Sequence, residues 1–271
     1  MPDPPSEPLS GAADTFALKR TPRLREDSEP HPWEGFLLVG LCAVLFTLIA
    51  PLARTGGLPA RFLLVPLLAV LLPALLWARV RGGLQETFPS ARPGPRTLWV
   101  AAALAVGGSL VALGLAGLLT GLFGPQGDEA AQRTLLLSVG PGWRLLYFVL
   151  APALCEEALF RGAFLRALKP WGPGAASLCS ALAFAAMHAS PIKFLPVAIL
   201  GWALAQVVLR TGNFWLAVVG HALHNAAVLA MLSAGLGEQG TLGWSLVLPA
   251  VVGASAIWLA MGRRMDGLRG A

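Results

Sequence analysis

The chain has 271 residues, of which 56% are apolar and only 13% charged, with a mean hydropathy of +0.67. That balance excludes an ordinary soluble domain and points to a polytopic membrane protein. A net charge of +6 and a pI near 10.0 would fit a nucleic-acid binder in a soluble protein, but here the basic residues sit at the ends of apolar runs and form no groove-like cluster, so the expected surroundings are a lipid bilayer and no nucleic acid.

Residues 1–33 are polar and Pro-rich and read as a disordered cytoplasmic tail without a cleavable signal peptide. Beyond them, runs near the ~20 apolar residues that a crossing needs recur at about 35–53, 62–78, 98–123, 143–165, 174–190, 192–209, 213–235 and 243–262. The expected fold is therefore all-α, a membrane helix bundle of about eight transmembrane helices. Breaks between runs carry Gly, Pro and Arg, as in RVRGG and KPWGPG. The organisation reads as the tail (1–33), N-terminal transmembrane helices (34–142), a helical core (143–235), and a last helix with a basic tail (236–271).

Charge asymmetry sets the orientation. With the N-terminus inside, 14 of the 20 Lys and Arg fall on inner segments, 5 fall on outer ones, and Arg161 lies within a span. Both termini are expected in the cytosol. Cys42, Cys155 and Cys179 all lie in apolar runs, an odd count that reads as packing and not as a disulfide framework.

Glu156 and Glu157 are the only 2 of 14 acidic residues well inside a span. Each carboxylate costs roughly 2.5–3.5 kcal/mol at the centre of a membrane helix. His188, His221, His224 and Asn225 lie in neighbouring apolar segments. Intramembrane ionisable groups face a bundle interior or a wet cavity, so this clustering is the functional signal of the sequence. Glu157 and Arg161 are four apart and share a helix face, which reads as a structural pair and leaves Glu156 on another face for another partner. His221 and Asn225 repeat that spacing, as do Phe184 and His188. His224 reads either as part of the site or as a bond to a neighbouring helix carbonyl. The Gly-, Ala- and Ser-rich run GAASLCSALAFAAMHAS allows close helix approach around His188.

EEALFR (Glu156, Glu157, Arg161), FAAMH (Phe184 to His188) and LRTGNFWLAVVGHALHN (Leu209 to Asn225) together resemble the three motifs of the CPBP family of intramembrane proteases, which includes Rce1-type CAAX prenyl endopeptidases, bacterial Abi-type proteins and sorting-type members such as the myxosortases. The resemblance covers about residues 143–230, and the first three spans carry no motif. It implies an intramembrane endopeptidase in which Glu156 with His188 activates water, His221 and Asn225 stabilise the oxyanion, and Glu157 and Arg161 support the site. The chemistry agrees: a carboxylate in a water-poor site suits a general base, and an amide is a good oxyanion donor.

Glu156, His188 and His221 also have the ligand chemistry of zinc, but HExxH is missing and a general-base glutamate needs no ion, so the preferred reading is metal-independent with zinc as the alternative. The expected substrate is a membrane-anchored protein or peptide. The Ala/Gly/Arg/Pro-rich composition suggests a high-GC bacterial genome and argues against prenylated substrates, favouring C-terminal or anchor processing at a bacterial inner membrane. Two competing functions are a transporter or proton relay and a non-catalytic immunity or scaffold protein. The first lacks the internal repeat that transporters often show, and the second leaves an intact motif set unexplained.

Overall fold

A computed structural model describes residues 29–53, 56–124, 134–234 and 247–262. Residues 1–28 of the expected tail and the basic C-terminal stretch from 263 lie outside the described residues. We number the eight long helices α1 (Pro32–Leu52), α2 (Gly57–Val80), α3 (Pro95–Phe123), α4 (141–167), α5 (Gly172–Ala186), α6 (Pro191–Thr211), α7 (Phe214–Ser233) and α8 (Val247–Gly262). Each overlaps one expected span. Among the described residues there is no strand, only an isolated antiparallel bridge between Ser90 and Asn213.

Five of these helices, α1, α2, α3, α6 and α7, are long and apolar enough to cross a membrane. α1, α2, α3 and α7 each carry large apolar side chains turned outward, with Leu37, Leu48, Leu76, Trp99 and Leu223 all more than half exposed, as lipid contact requires, whereas α6 is mostly enclosed. The other three expected spans are helical but do not meet that standard. α5 has 15 residues and α8 has 16, about 22–24 Å at ~1.5 Å per residue against a ~30 Å hydrocarbon core. α4 carries Glu156, Glu157 and Arg161 at its middle.

α4 is the most enclosed helix. From Glu157 to Leu165 every side chain is buried, Arg161 included, against α1, α2, α5, α6 and α7. Its path is not a regular α-helix: residues 146–150 and 158–164 widen into π-helical turns on either side of Pro152. Proline lacks the N–H that would bond four residues back, and such widened turns recur at functional sites. On the far side α3 lies against both α6 and α8. That contact is backbone-close: a Cβ on Gly107 would stand 2.7 Å from the Gly253 carbonyl oxygen, and one on Gly108 would stand 2.5 Å from the Ala203 Cβ.

The turn between α6 and α7 is pinned. Gly212 takes a left-handed φ of 61°, Asn213 caps α7 by accepting from the Leu216 N–H at 3.2 Å, and its amide donates to the Ala91 carbonyl at 2.8 Å. The Phe214 N–H donates to Pro89 at 2.7 Å. These bonds fix the start of α7 and hence the height of His221 and Asn225. The nearby end of α2 is tied to α1 by a two-point Arg81–Glu34 pair at 2.7 and 2.8 Å.

Candidate active site

Glu157 organises the centre. Its carboxylate is fully buried, and Oε1 accepts from Arg161 at 2.9 Å and from His221 Nδ1 at 2.8 Å. The expected i,i+4 pair is therefore present, with a third member that spacing did not supply. A second Arg161 nitrogen donates to the Gly201 carbonyl at 2.9 Å, and the guanidinium lies 4.4 Å from the centre of the Phe184 ring. Gly201 is required for this approach: a Cβ there would meet Phe184 Cδ1 at 2.9 Å and the Ala181 backbone at 3.2 Å. The Glu157 Oε2 and Arg161 Nε atoms are buried without a hydrogen bond among the described residues.

Phe184 is the hub of the histidines. Its ring meets His188 edge-on at 5.0 Å and His221 at 5.6 Å, with Phe160 packed on it at 5.3 Å. His188 Nδ1 lies 3.0 Å from the Phe184 carbonyl oxygen. A carbonyl only accepts, so Nδ1 carries the proton and Nε2 keeps its lone pair. The same logic applies to His221, whose Nδ1 faces a carboxylate paired with Arg161. Both imidazoles therefore present a basic Nε2.

The structure corrects the sequence expectation for His188. The apolar run predicts a helix extending to 190, but α5 ends at Ala186 and His188 occupies the following turn, where Ala189 adopts a φ of 48°. Pro191 explains the break: it starts α6 at its first helical position, Ser190 before it is extended, and the Ser190 side chain caps the new helix. His188 is consequently exposed and not deep within the bundle.

Glu156 is 30% exposed and makes no hydrogen bond among the described residues; its Oε2 lies 3.9 Å from His221 Nε2. The expected pairing with His188 is not a direct contact, and the imidazole nearest Glu156 belongs to His221. Asn225, one turn beyond His221, is half-buried, and its amide has no partner among the described residues. In place of a bond to a helix carbonyl, His224 meets a hydroxyl, Ser109 Oγ, at 2.8 Å. Ser109 is the residue that sequence reasoning missed; a lone serine in an apolar helix carries no distinguishing signal.

Glu156, His188 and His221 do not form a metal-ligand set in this arrangement. Among the described residues no three His, Cys, Asp or Glu side chains are gathered to hold an ion. Cys42 and Cys155 are buried and unpaired, in keeping with packing roles. A cavity of about 1180 Å³ opens at the end of the bundle where α2 finishes, with Arg161 and Gly162 at its wall and Arg81, Arg166 and Lys169 around it.

Residues 138–227 match the family model described as type II CAAX prenyl endopeptidase Rce1-like. Over this segment the chain is similar to the Rce1-like family. The match supports membership of the CPBP family and holds all six residues singled out in the sequence. No curated protein and no solved structure matches the chain. The apolar helices and the similarity to an Rce1-like family together indicate an integral membrane protein. α1, α2, α3 and α8 lie outside the matched segment, yet α3 reaches the candidate site through Ser109.

Proposed function

We propose that the protein is an intramembrane endopeptidase that hydrolyses a peptide bond of a membrane-anchored protein or peptide. The observation that carries this reading is the buried Glu157–His221 bond of 2.8 Å, which directs His221 Nε2 toward Glu156 at 3.9 Å. That separation is too long for a direct hydrogen bond and suits a pair acting on a shared water.

In this mechanism Glu156, assisted by the Nε2 of His188, removes a proton from water as the oxygen adds to the scissile carbonyl carbon. The proton passes from Glu156 to His221. Because its Nδ1–H is already given to Glu157, His221 can donate from Nε2 only when protonated, and the Glu157 charge stabilises that imidazolium in the manner of a catalytic triad. His221 and Asn225 then hold the oxyanion. On collapse the C–N bond breaks and the His221 proton goes to the leaving nitrogen. Arg161 holds Glu157 in place. No step is routed through a metal ion.

The substrate we favour is a membrane or surface protein of a bacterium, processed at its C-terminus or anchor in the inner membrane, with both termini of the protease cytoplasmic. Comparing membrane proteomes with and without the gene should reveal a new protein terminus. Glu156→Gln should abolish that cleavage while the protein still inserts and folds. Retained cleavage in the variant would exclude the mechanism, and activity restored only by zinc after chelation would overturn its metal-free form.

A further inference from the structure

We propose that His224, set in one tautomer by Ser109, is a standing hydrogen-bond donor to the oxygen of the scissile carbonyl, alongside Asn225. The inference rests on the hydrolytic reading of the site, but it has a test of its own.

The serine is the starting point. Hydroxyls on membrane helices usually donate to the carbonyl four residues back, and here Thr47, Thr211 and Ser255 do so at 2.8, 2.7 and 2.9 Å. Ser109 does not. Its single hydrogen-bond partner among the described residues is His224 Nδ1 at 2.8 Å, on a helix 115 residues away in sequence. A hydroxyl can donate or accept, but with no other acceptor for its proton among the described residues Ser109 is assigned as the donor to Nδ1, and an imidazole that accepts at Nδ1 carries its own proton on Nε2. His188 and His221 are held the other way, by an acceptor facing each Nδ1. The site thus contains two imidazoles with a basic Nε2 and one with an Nε2–H.

Placement agrees with a role at the carbonyl. His224 lies one turn from His221 and next to Asn225 on α7. The bond to Ser109 depends on close helix approach. A Cβ on Gly220, one turn before His224, would stand 3.0 Å from the Ala105 Cβ, so α3 and α7 meet at the height of the site. A donor that needs no protonation step complements His221, which donates only after it has taken the proton from water.

The test is nitrogen NMR of the full-length protein in detergent micelles, with 15N-labelled histidine and long-range proton–nitrogen correlations that report which ring nitrogen is protonated. The expected result is Nε2–H at His224 and Nδ1–H at His188 and His221, with Ser109→Ala converting His224 alone to a mixture. Protonation of His224 at Nδ1 in the wild-type protein would overturn the proposal. In turnover of a fluorogenic peptide spanning the cleavage site found by the proteome comparison, His224→Ala should lower kcat about 100-fold with KM unchanged, the scale of losing one such donor. His224→Gln, whose amide N–H replaces Nε2–H, should recover most of it, whereas wild-type kcat in His224→Ala would overturn the donor role. Failure of the hydrolytic reading registers elsewhere, as a proteome comparison in which the gene yields no new protein terminus, and leaves the tautomer measurement intact.

Discussion

His221 donates Nδ1–H to Glu157 Oε1 at 2.8 Å across 64 residues of sequence, and both side chains are buried. This bond joins the first and third motifs and sets which nitrogen of His221 can do chemistry. Arg161 supplies the counter-charge to the carboxylate, so the three residues act as one unit.

The adjacent glutamates should consequently separate stability from activity. Glu157→Gln leaves a buried Arg161 without its partner, and breaking such a pair costs about 3–5 kcal/mol. Its thermal unfolding midpoint in micelles should fall well below wild type, whereas that of Glu156→Gln, at a position without a hydrogen bond to lose, should stay near wild type. Equal midpoints for the two variants would contradict this division of labour between the neighbours.

Arg161→Lys keeps the charge but loses the planar fork that reaches Glu157 and the Gly201 carbonyl together and lies on Phe184. Losing this charge-assisted bond to a carbonyl inside α6 should cost roughly 1.5–3 kcal/mol. Denaturation in micelles checks this; a lysine variant as stable as wild type would show that the fork is dispensable.

Gly201→Ala tests the contact between α5 and α6. The new Cβ would press on Phe184 at 2.9 Å and on Ala181 backbone at 3.2 Å, and backbone cannot swing aside. Overpacking of this kind costs about 1–3 kcal/mol, and it should also reduce cleavage because the shifted ring supports both His188 and His221. A neutral outcome would mean that α6 moves freely against α5.

Asn225→Ala should behave differently from all of these. The amide has no partner among the described residues, so unfolding should change little, while kcat should fall by about 10²–10³, the typical cost of one oxyanion donor. A KM effect alone would place Asn225 in substrate binding instead.

Much of the site was legible in the sequence because the bilayer makes polar residues conspicuous. Hydrocarbon penalises a carboxylate wherever it sits, so Glu156 and Glu157 stand out against apolar neighbours before any fold is known. Helical periodicity then supplied the Glu157–Arg161 pair and the alignment of His221 with Asn225. The helix positions were likewise written in runs of apolar residues broken by Gly, Pro and Arg.

Contacts between helices were not legible, since no periodicity relates residues on separate segments. Nothing local says that His221 turns Nδ1 to Glu157 or that Ser109 reaches His224 from a helix without a motif. Those facts depend on where glycines such as Gly108, Gly201 and Gly220 let backbones approach, whereas the end of α5 before His188 was written locally in the Ser190–Pro191 pair and hidden only by the continuous apolar run. The sequence thus determined which chemical groups the membrane must hold. Tertiary structure decided which atoms of those groups face one another, because hydrogen-bond direction depends on distances between helices that only their mutual fit establishes.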